Sequence, residues 1–169
     1  MTKEVFSIWK PKNISSFDVV KRIQLIKKTK EVGHCGTLDP FAVGILIICT
    51  GKYTKNVNKY MDTMKSYKAK ILLGLETDTL DIEGVPIRTS KTKKLSKKDI
   101  LQKLSLFEGN QQQIPPYFCA KKIYGTKMYK LARKGIFIRK KPNTVFVEKI
   151  EFIDYLDNIL TINVICGKG

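Results

Sequence analysis

The segment Gly33-His34-Cys35-Gly36-Thr37-Leu38-Asp39-Pro40-Phe41-Ala42-Val43-Gly44 gathers the residue types of a reactive site. It holds the only histidine of the chain, three of its eleven glycines and a single carboxylate. Pro40 locks the backbone just after Asp39 and pushes the aspartate itself away from helical geometry, so the carboxylate can be presented without a helix. Glycine at 33, 36 and 44 permits close backbone approach or positive φ. The chemistry on offer is that of a carboxylate working as a nucleophile or proton acceptor beside an imidazole. On local chemistry alone the plainer role is the favoured one: Asp39 as a helix N-cap with Pro40 at the first helical position, and His34 as a core or turn histidine.

A second concentration is basic. From Gly109 to Val147 there is no acidic residue, while Lys121, Lys122, Lys127, Lys130, Arg133, Lys134, Arg139, Lys140 and Lys141 all fall inside. Over the whole chain 32 basic residues stand against 15 acidic ones, a net +17. That balance speaks to polyanion binding and not to fold, and nucleic acid is the expected partner; a generally lysine-rich composition is the competing explanation. Glu76, Asp78, Asp81 and Glu83 form an acidic cluster, but Thr77, Thr79 and Leu80 interrupt any calcium-ligand series, so a solvated or capping role is expected and no metal. Cys35, Cys49, Cys119 and Cys166 show no CxxC spacing, which indicates neither a zinc site nor a disulfide framework. The N-terminus lacks a signal-peptide pattern and no apolar run is long enough to span a bilayer, so a soluble cytoplasmic protein, monomeric and away from membranes, is expected.

The elements that must position these groups follow from periodicity. A chain of 169 residues suits one domain burying roughly two thirds of its unfolded surface. Val5 to Trp9 reads as an opening strand, followed by a helix capped by Ser16, with Val19, Val20, Ile23 and Ile26 as its apolar stripe. Ile45 to Cys49 reads as a buried strand. Thr54 can cap a second helix whose Val57, Tyr60, Met61 and Met64 face the core. Tyr67, Ala69, Ile71 and Leu73 alternate with polar residues, so Tyr67 stands on the apolar side of a strand near its start, where a core tyrosine is the ordinary role. Gly84 to Thr89 reads as an edge strand. Ser96 and Asp99 spell a capping box before a helix with Ile100, Leu101, Leu104 and Phe107 inward. Phe118 to Ile123 is a strand, Met128 to Ala132 a short helix stopped by Gly135, and Val145 to Ile153 with Leu160 to Cys166 two strands joined at Asp157-Asn158. The fold class is α+β, a mixed, largely antiparallel sheet with flanking helices in a single domain.

Five blocks in order resemble the tRNA pseudouridine-55 synthase (TruB) family. The first segment above is similar to GHxGTLDPxAxGxL, and Lys10-Pro11-Lys12-Asn13-Ile14-Ser15-Ser16 to the entry motif KPxGxTS, with Asn13 where glycine is usual. Residues Leu73 to Gly84 are similar to LGxxTDTxDxxG. Gln113 to Lys122 with Gly125, Tyr129, Ala132 and Arg133 are similar to QxPPxxSAxKxxGxxxYxxAR, with Cys119 in the serine position. Val164 to Gly169 resembles the start of CSKGTYIR. The resemblance implies the pseudouridine synthase catalytic fold and an isomerase converting uridine 55 in the T loop of tRNA, with the T arm as partner and no cofactor. It implies Asp39 as the catalytic nucleophile, Tyr67 as the residue stacking on the target uracil, and His34 as a helper in the space the flipped base leaves. Lys122, Arg133 and Lys10 take phosphate-binding or motif-supporting roles.

The last block departs from the pattern, because the tyrosine and arginine that follow in CSKGTYIR are not in this sequence. In the family that arginine pairs with the catalytic aspartate and the tyrosine helps bind uracil. The expectation is therefore a catalytic domain missing its C-terminal part and any RNA-binding appendage, with a non-catalytic tRNA-binding or folding module as the alternative. A guide-dependent relative inside a ribonucleoprotein would need partner-binding extensions that this sequence does not show.

Overall fold

The computed structural model describes residues 4–119, 122–123, 125–138 and 140–168, and the chain divides into two compact units, Met1–Thr63 and Met64–Gly169.

The first unit is a three-stranded antiparallel sheet covered by a helix. Its strands are β1 (Val5–Lys10), β2 (Val32–His34) and β3 (Gly44–Thr50), in the order β1-β3-β2. Helix α1 (Ser16–Lys27) lies on one face, where Val19, Val20 and Ile23 pack with Leu46 and Ile48 of β3 and with Phe6 and Ile8 of β1. The cap is Ser15, not the expected Ser16: the Ser15 hydroxyl accepts from the Asp18 amide and Asp18 returns a bond to the Ser15 amide, a complete capping box. Ile26 is 72% exposed, and Lys27 takes the last place over the sheet, its ammonium 5.4 Å from the Phe6 ring centre and bonded to Glu4. Along β3, Leu46 and Ile48 are covered by α1; on the other face burial deepens from the exposed Ile45 to the fully buried Cys49. Gly51–Asn56 forms a 3₁₀ turn leading into the short helix α2 (Val57–Met61). Thr54 caps nothing there, its hydroxyl donating to the Gly51 carbonyl at 2.8 Å, and α2 carries no fully buried residue.

The second unit holds a four-stranded antiparallel sheet in the order β4-β11-β10-β7, built from β4 (Lys65–Leu72), β7 (Gly109–Gln113), β10 (Asn143–Leu156) and β11 (Ile159–Cys166). Helix α3 (Lys97–Ser105) has the expected Ser96/Asp99 capping box and packs Ile100 and Leu104 against Leu160 and Ile162. Leu101 and Phe107 are exposed, since α3 is short and covers the sheet with one narrow stripe. β10 and β11 are joined by Asp157 (φ 49°) and Asn158 (φ 63°) between the paired Leu156 and Ile159, the two left-handed positions of a type I′ hairpin.

A hairpin of β5 (Leu75–Thr77) and β6 (Pro86–Thr89) carries Glu76 on β5 and the rest of the acidic cluster in its loop. There the carboxylates organise the backbone: Asp78 accepts from the Val85 amide at 2.9 Å, and Asp81 from the Thr79 hydroxyl at 2.6 Å and the Glu83 amide at 2.9 Å. Among the described residues of the strand expected over Phe118 to Ile123, Lys122–Ile123 form β8, paired with β9 (Thr126–Lys127), and Phe118 and Cys119 are not in a strand; Ala120 and Lys121 lie outside the described residues. Helix α4 (Met128–Ala132) follows, closed by Gly135 at φ 72°, whose amide donates to the Ala132 carbonyl. Among the described residues every strand pair is antiparallel and helices are few, which agrees with the α+β expectation.

Candidate functional site

The loop between β2 and β3 is held by residues that precede it in sequence by about two dozen positions or more. Ser16, 2% exposed at the start of α1, accepts from the Leu38 amide and donates to the Leu38 carbonyl, both at 2.9 Å. The Pro40 carbonyl accepts from the Asn13 amide at 2.8 Å and from the Lys10 ammonium at 3.3 Å. The Asp39 carbonyl accepts from the Ala42 amide at 3.0 Å, closing a turn. Asp39 thus has anchored backbone on both sides and an exposed side chain. The helix-cap alternative for Asp39 has no helix to cap: residues 35–43 contain none.

Lys10 is fully buried, and its ammonium donates to the carbonyls of Pro11 at 3.0 Å, Ile14 at 2.8 Å and Pro40 at 3.3 Å. An ammonium has three protons, so this set uses all of them. Of the two roles expected for Lys10, phosphate contact and motif support, the geometry fits support. Burial pulls its pKa below the usual lysine value, and the Asp39 carboxylate partly offsets that. The same interaction places Asp39 within Coulombic reach of a buried cation.

His34 ends β2 opposite Ile48, and its Nδ1 lies 2.5 Å from the Gly36 carbonyl. A carbonyl only accepts, so Nδ1 carries the proton and Nε2 remains an acceptor when the ring is neutral. Cys35, the first residue of this loop, and Cys49 of β3 are buried with their sulfurs 3.3 Å apart. Burial, followed by the Cys49 thiol, pushes the Cys35 thiol up to about 12.

In the second unit Tyr67 pairs with Val164 across β4 and β11, on the face where Ala69, Ile162 and Val164 meet the α3 cluster. It stands at the rim of that face and is 42% exposed. Burial, then Cys166, raises its pKa, so the phenol stays protonated at neutral pH and its hydroxyl can donate. At the two ends of α4 the Arg133 guanidinium lies 5.4 Å and the Lys127 ammonium 5.8 Å from the Tyr129 ring centre, both exposed, as are Lys130 and Lys134. This is a cation and aromatic surface of the type that contacts a phosphate backbone. The backbone of Lys122 pairs with Lys127 in the β8–β9 hairpin.

Of the expected site residues, the loop brings together Asp39, Lys10 and His34, while Tyr67 and Arg133 belong to the second unit. Ser16 was missed as a site residue. Its signal was present: Ser15 and Asp18 have the capping-box spacing, which leaves the neighbouring serine without a capping task.

Among the described residues no group of three or more His, Cys, Asp and Glu side chains could hold a metal ion, and no helix is long and apolar enough to cross a membrane.

Comparison with known proteins matches residues 21–169 to the profile described as TruB family pseudouridylate synthase, N-terminal domain. A protein of Clostridium tetani named tRNA pseudouridine synthase B is 41% identical over 165 residues, covering 98% of this chain and 57% of that protein. The protein of the same name from Desulfotalea psychrophila is 41% identical over 174 residues, covering 99% of this chain and 71% of that one. The chain therefore spans little more than half the length of the Clostridium relative. In fold alone it is similar to the crystal structure of a Cbf5-Nop10-Gar1 complex, at a TM-score of 0.69 and 23% identity over 98% of this chain and 40% of that one.

Proposed function

Because the chain belongs to the TruB family of pseudouridylate synthases, we propose that it is the catalytic part of an enzyme that isomerises uridine to pseudouridine in tRNA, at position 55 of the T loop. The observation that carries this reading is the doubly anchored loop, with Leu38 and Pro40 tied down and the Asp39 side chain exposed between them.

The reaction breaks the bond from uracil N1 to the ribose C1′ and makes one from C5 to C1′, with the C5 proton lost and N1 protonated. Nothing is oxidised or reduced, so the stoichiometry calls for no electron or group carrier. The base must leave the T-loop stack before a side chain can reach it. Asp39 supplies the nucleophile and Tyr67 the aromatic face on which the everted uracil stacks. His34 fills or lines the space the base vacates, held by its bond to Gly36. Arg133 and Lys122 contact phosphates, and Lys10 supports the catalytic loop from within. The chain acts in the cytoplasm, where tRNA is modified.

Incubating the 169-residue chain with a T-arm stem-loop transcript, followed by carbodiimide mapping or mass spectrometry, tests the proposal. Pseudouridine at the T-loop uridine, abolished by Asp39→Ala, is the expected outcome. Normal turnover by Asp39→Ala would overturn the assignment. The exposed cations around Tyr129 favour a second reading, tRNA binding without chemistry, which predicts salt-sensitive binding of the transcript and no product.

A further inference from the structure

We infer that Ser16 is a positioning residue for Asp39, its buried hydroxyl gripping the residue before the aspartate and so setting the direction of the carboxylate. This rests on Asp39 being the reacting group, and it adds a residue that the Ser15–Asp18 capping box leaves without a task in the helix.

A hydroxyl carries one proton and two lone pairs, so Ser16 Oγ can accept from the Leu38 amide and donate to the Leu38 carbonyl together, as the two 2.9 Å contacts show. The side chain thereby takes the place of a neighbouring strand, satisfying both backbone groups of a loop residue that has no ladder partner. Ser16 is 2% exposed, which leaves little room for water to replace the hydroxyl. The helix does not need this hydroxyl, because Ser15 and Asp18 complete the capping box. Its bonding is directed wholly at the loop.

The two sides of Asp39 are anchored differently. Pro40 is held by two donors, the Asn13 amide and the Lys10 ammonium, and proline fixes its own φ. Leu38 is held by the Ser16 hydroxyl at both of its backbone groups. Removing that hydroxyl leaves the Pro40 anchor in place and lets the Leu38–Asp39 peptide rotate, which swings the carboxylate while the loop stays attached. A misplacement of about 1 Å in a reacting group can cost on the order of 10²-fold in rate.

The test compares wild type, Ser16→Ala and Ser16→Thr in the full chain with the T-arm transcript. Ser16→Ala is expected to lower the single-turnover rate at saturating RNA by roughly 10- to 100-fold with RNA Kd unchanged within about twofold, and Ser16→Thr, which keeps the hydroxyl, to recover most of the rate. Independently of turnover, the Leu38 amide is expected to be protected from hydrogen exchange in the wild type and to exchange at least about tenfold faster in Ser16→Ala, with the Leu46 and Ile48 amides of β3 unchanged. An unchanged rate, a loss confined to RNA affinity, or a Leu38 amide indifferent to the substitution would overturn the inference. A wild-type chain that makes no pseudouridine, yet shows this exchange pattern, would sink the functional reading and leave the Ser16 anchor standing.

Discussion

Replacing Lys10 by methionine keeps the length and apolar stem of the side chain and removes its charge and three protons. The carbonyls of Pro11 and Ile14 lose their bond to the ammonium, whereas the Pro40 carbonyl keeps the Asn13 amide. An acceptor left without a partner inside the fold costs about 1–3 kcal/mol, so two such groups cost roughly 2–6 kcal/mol. Two effects reduce that figure. Pro11 and Ile14 are themselves partly open to solvent, and the buried ammonium carries a desolvation penalty, seen in its lowered pKa, that methionine does not. The net loss is about 2–3 kcal/mol, which for a chain of this size lowers the melting temperature by about 4–12 °C. Trp9, the only tryptophan, precedes Lys10 on β1 and is 63% exposed, so its fluorescence reports the unfolding of this unit. Thermal melts of wild type and Lys10→Met at pH 7, followed by that fluorescence, give the comparison. A melting temperature within about 1 °C of wild type would refute the view of Lys10 as the internal clasp of the loop.

Two further outcomes follow from the same structure. The Cys35 thiol is raised from 9.0 to about 12, so the folded state keeps a proton that the unfolded state releases. Its contribution to stability is complete below pH 9.0 and is lost as pH rises toward about 12, at a slope approaching ~1.4 kcal/mol per unit. Denaturant unfolding at a series of alkaline pH values should therefore show a shallower decline for Cys35→Ala than for wild type, and parallel declines would contradict the assignment. At Gly84 an added Cβ would lie 2.2 Å from Thr79 Oγ1 and 2.6 Å from Asp78 Oδ1, the groups that shape the β5–β6 loop. Gly84→Ala should cost about 1–3 kcal/mol, read as faster proteolysis of residues 78–85, and wild-type resistance would show that the loop yields freely.

Much of the site was legible because its determinants are local. Asp39 and Pro40 are adjacent, and a proline's constraint on its neighbour acts through one bond. The capping box before α3, the left-handed pair Asp157 and Asn158 and the alternation of β4 are likewise short-range patterns. With two adjacent serines before α1 the expected cap went astray, because the Ser15–Asp18 spacing that separates them was passed over.

Other elements exist only because of a distant partner. β7, with the sequence Gly-Asn-Gln-Gln-Gln, has neither β-branched residues nor alternation, and it is a strand because Gly109 to Gln113 pair with Asn143 to Val147. The glycine-bearing β2 is a strand because β3 supplies a ladder from Val32 to His34. Ile26, Leu101 and Phe107 continue an apolar stripe in sequence but not in the packed molecule, since periodicity gives the face of a helix and not which residues at its edges find a partner.

By itself the sequence determined the family, the strand and helix patterns set by neighbouring residues, and Asp39 as the candidate nucleophile. The tertiary structure alone decided what holds that aspartate. The bonds from Ser16 to Leu38 and from Lys10 to Pro40 span 22 and 30 residues, and which buried donor meets which carbonyl over such a distance is settled when the sheet and helix pack and water is excluded.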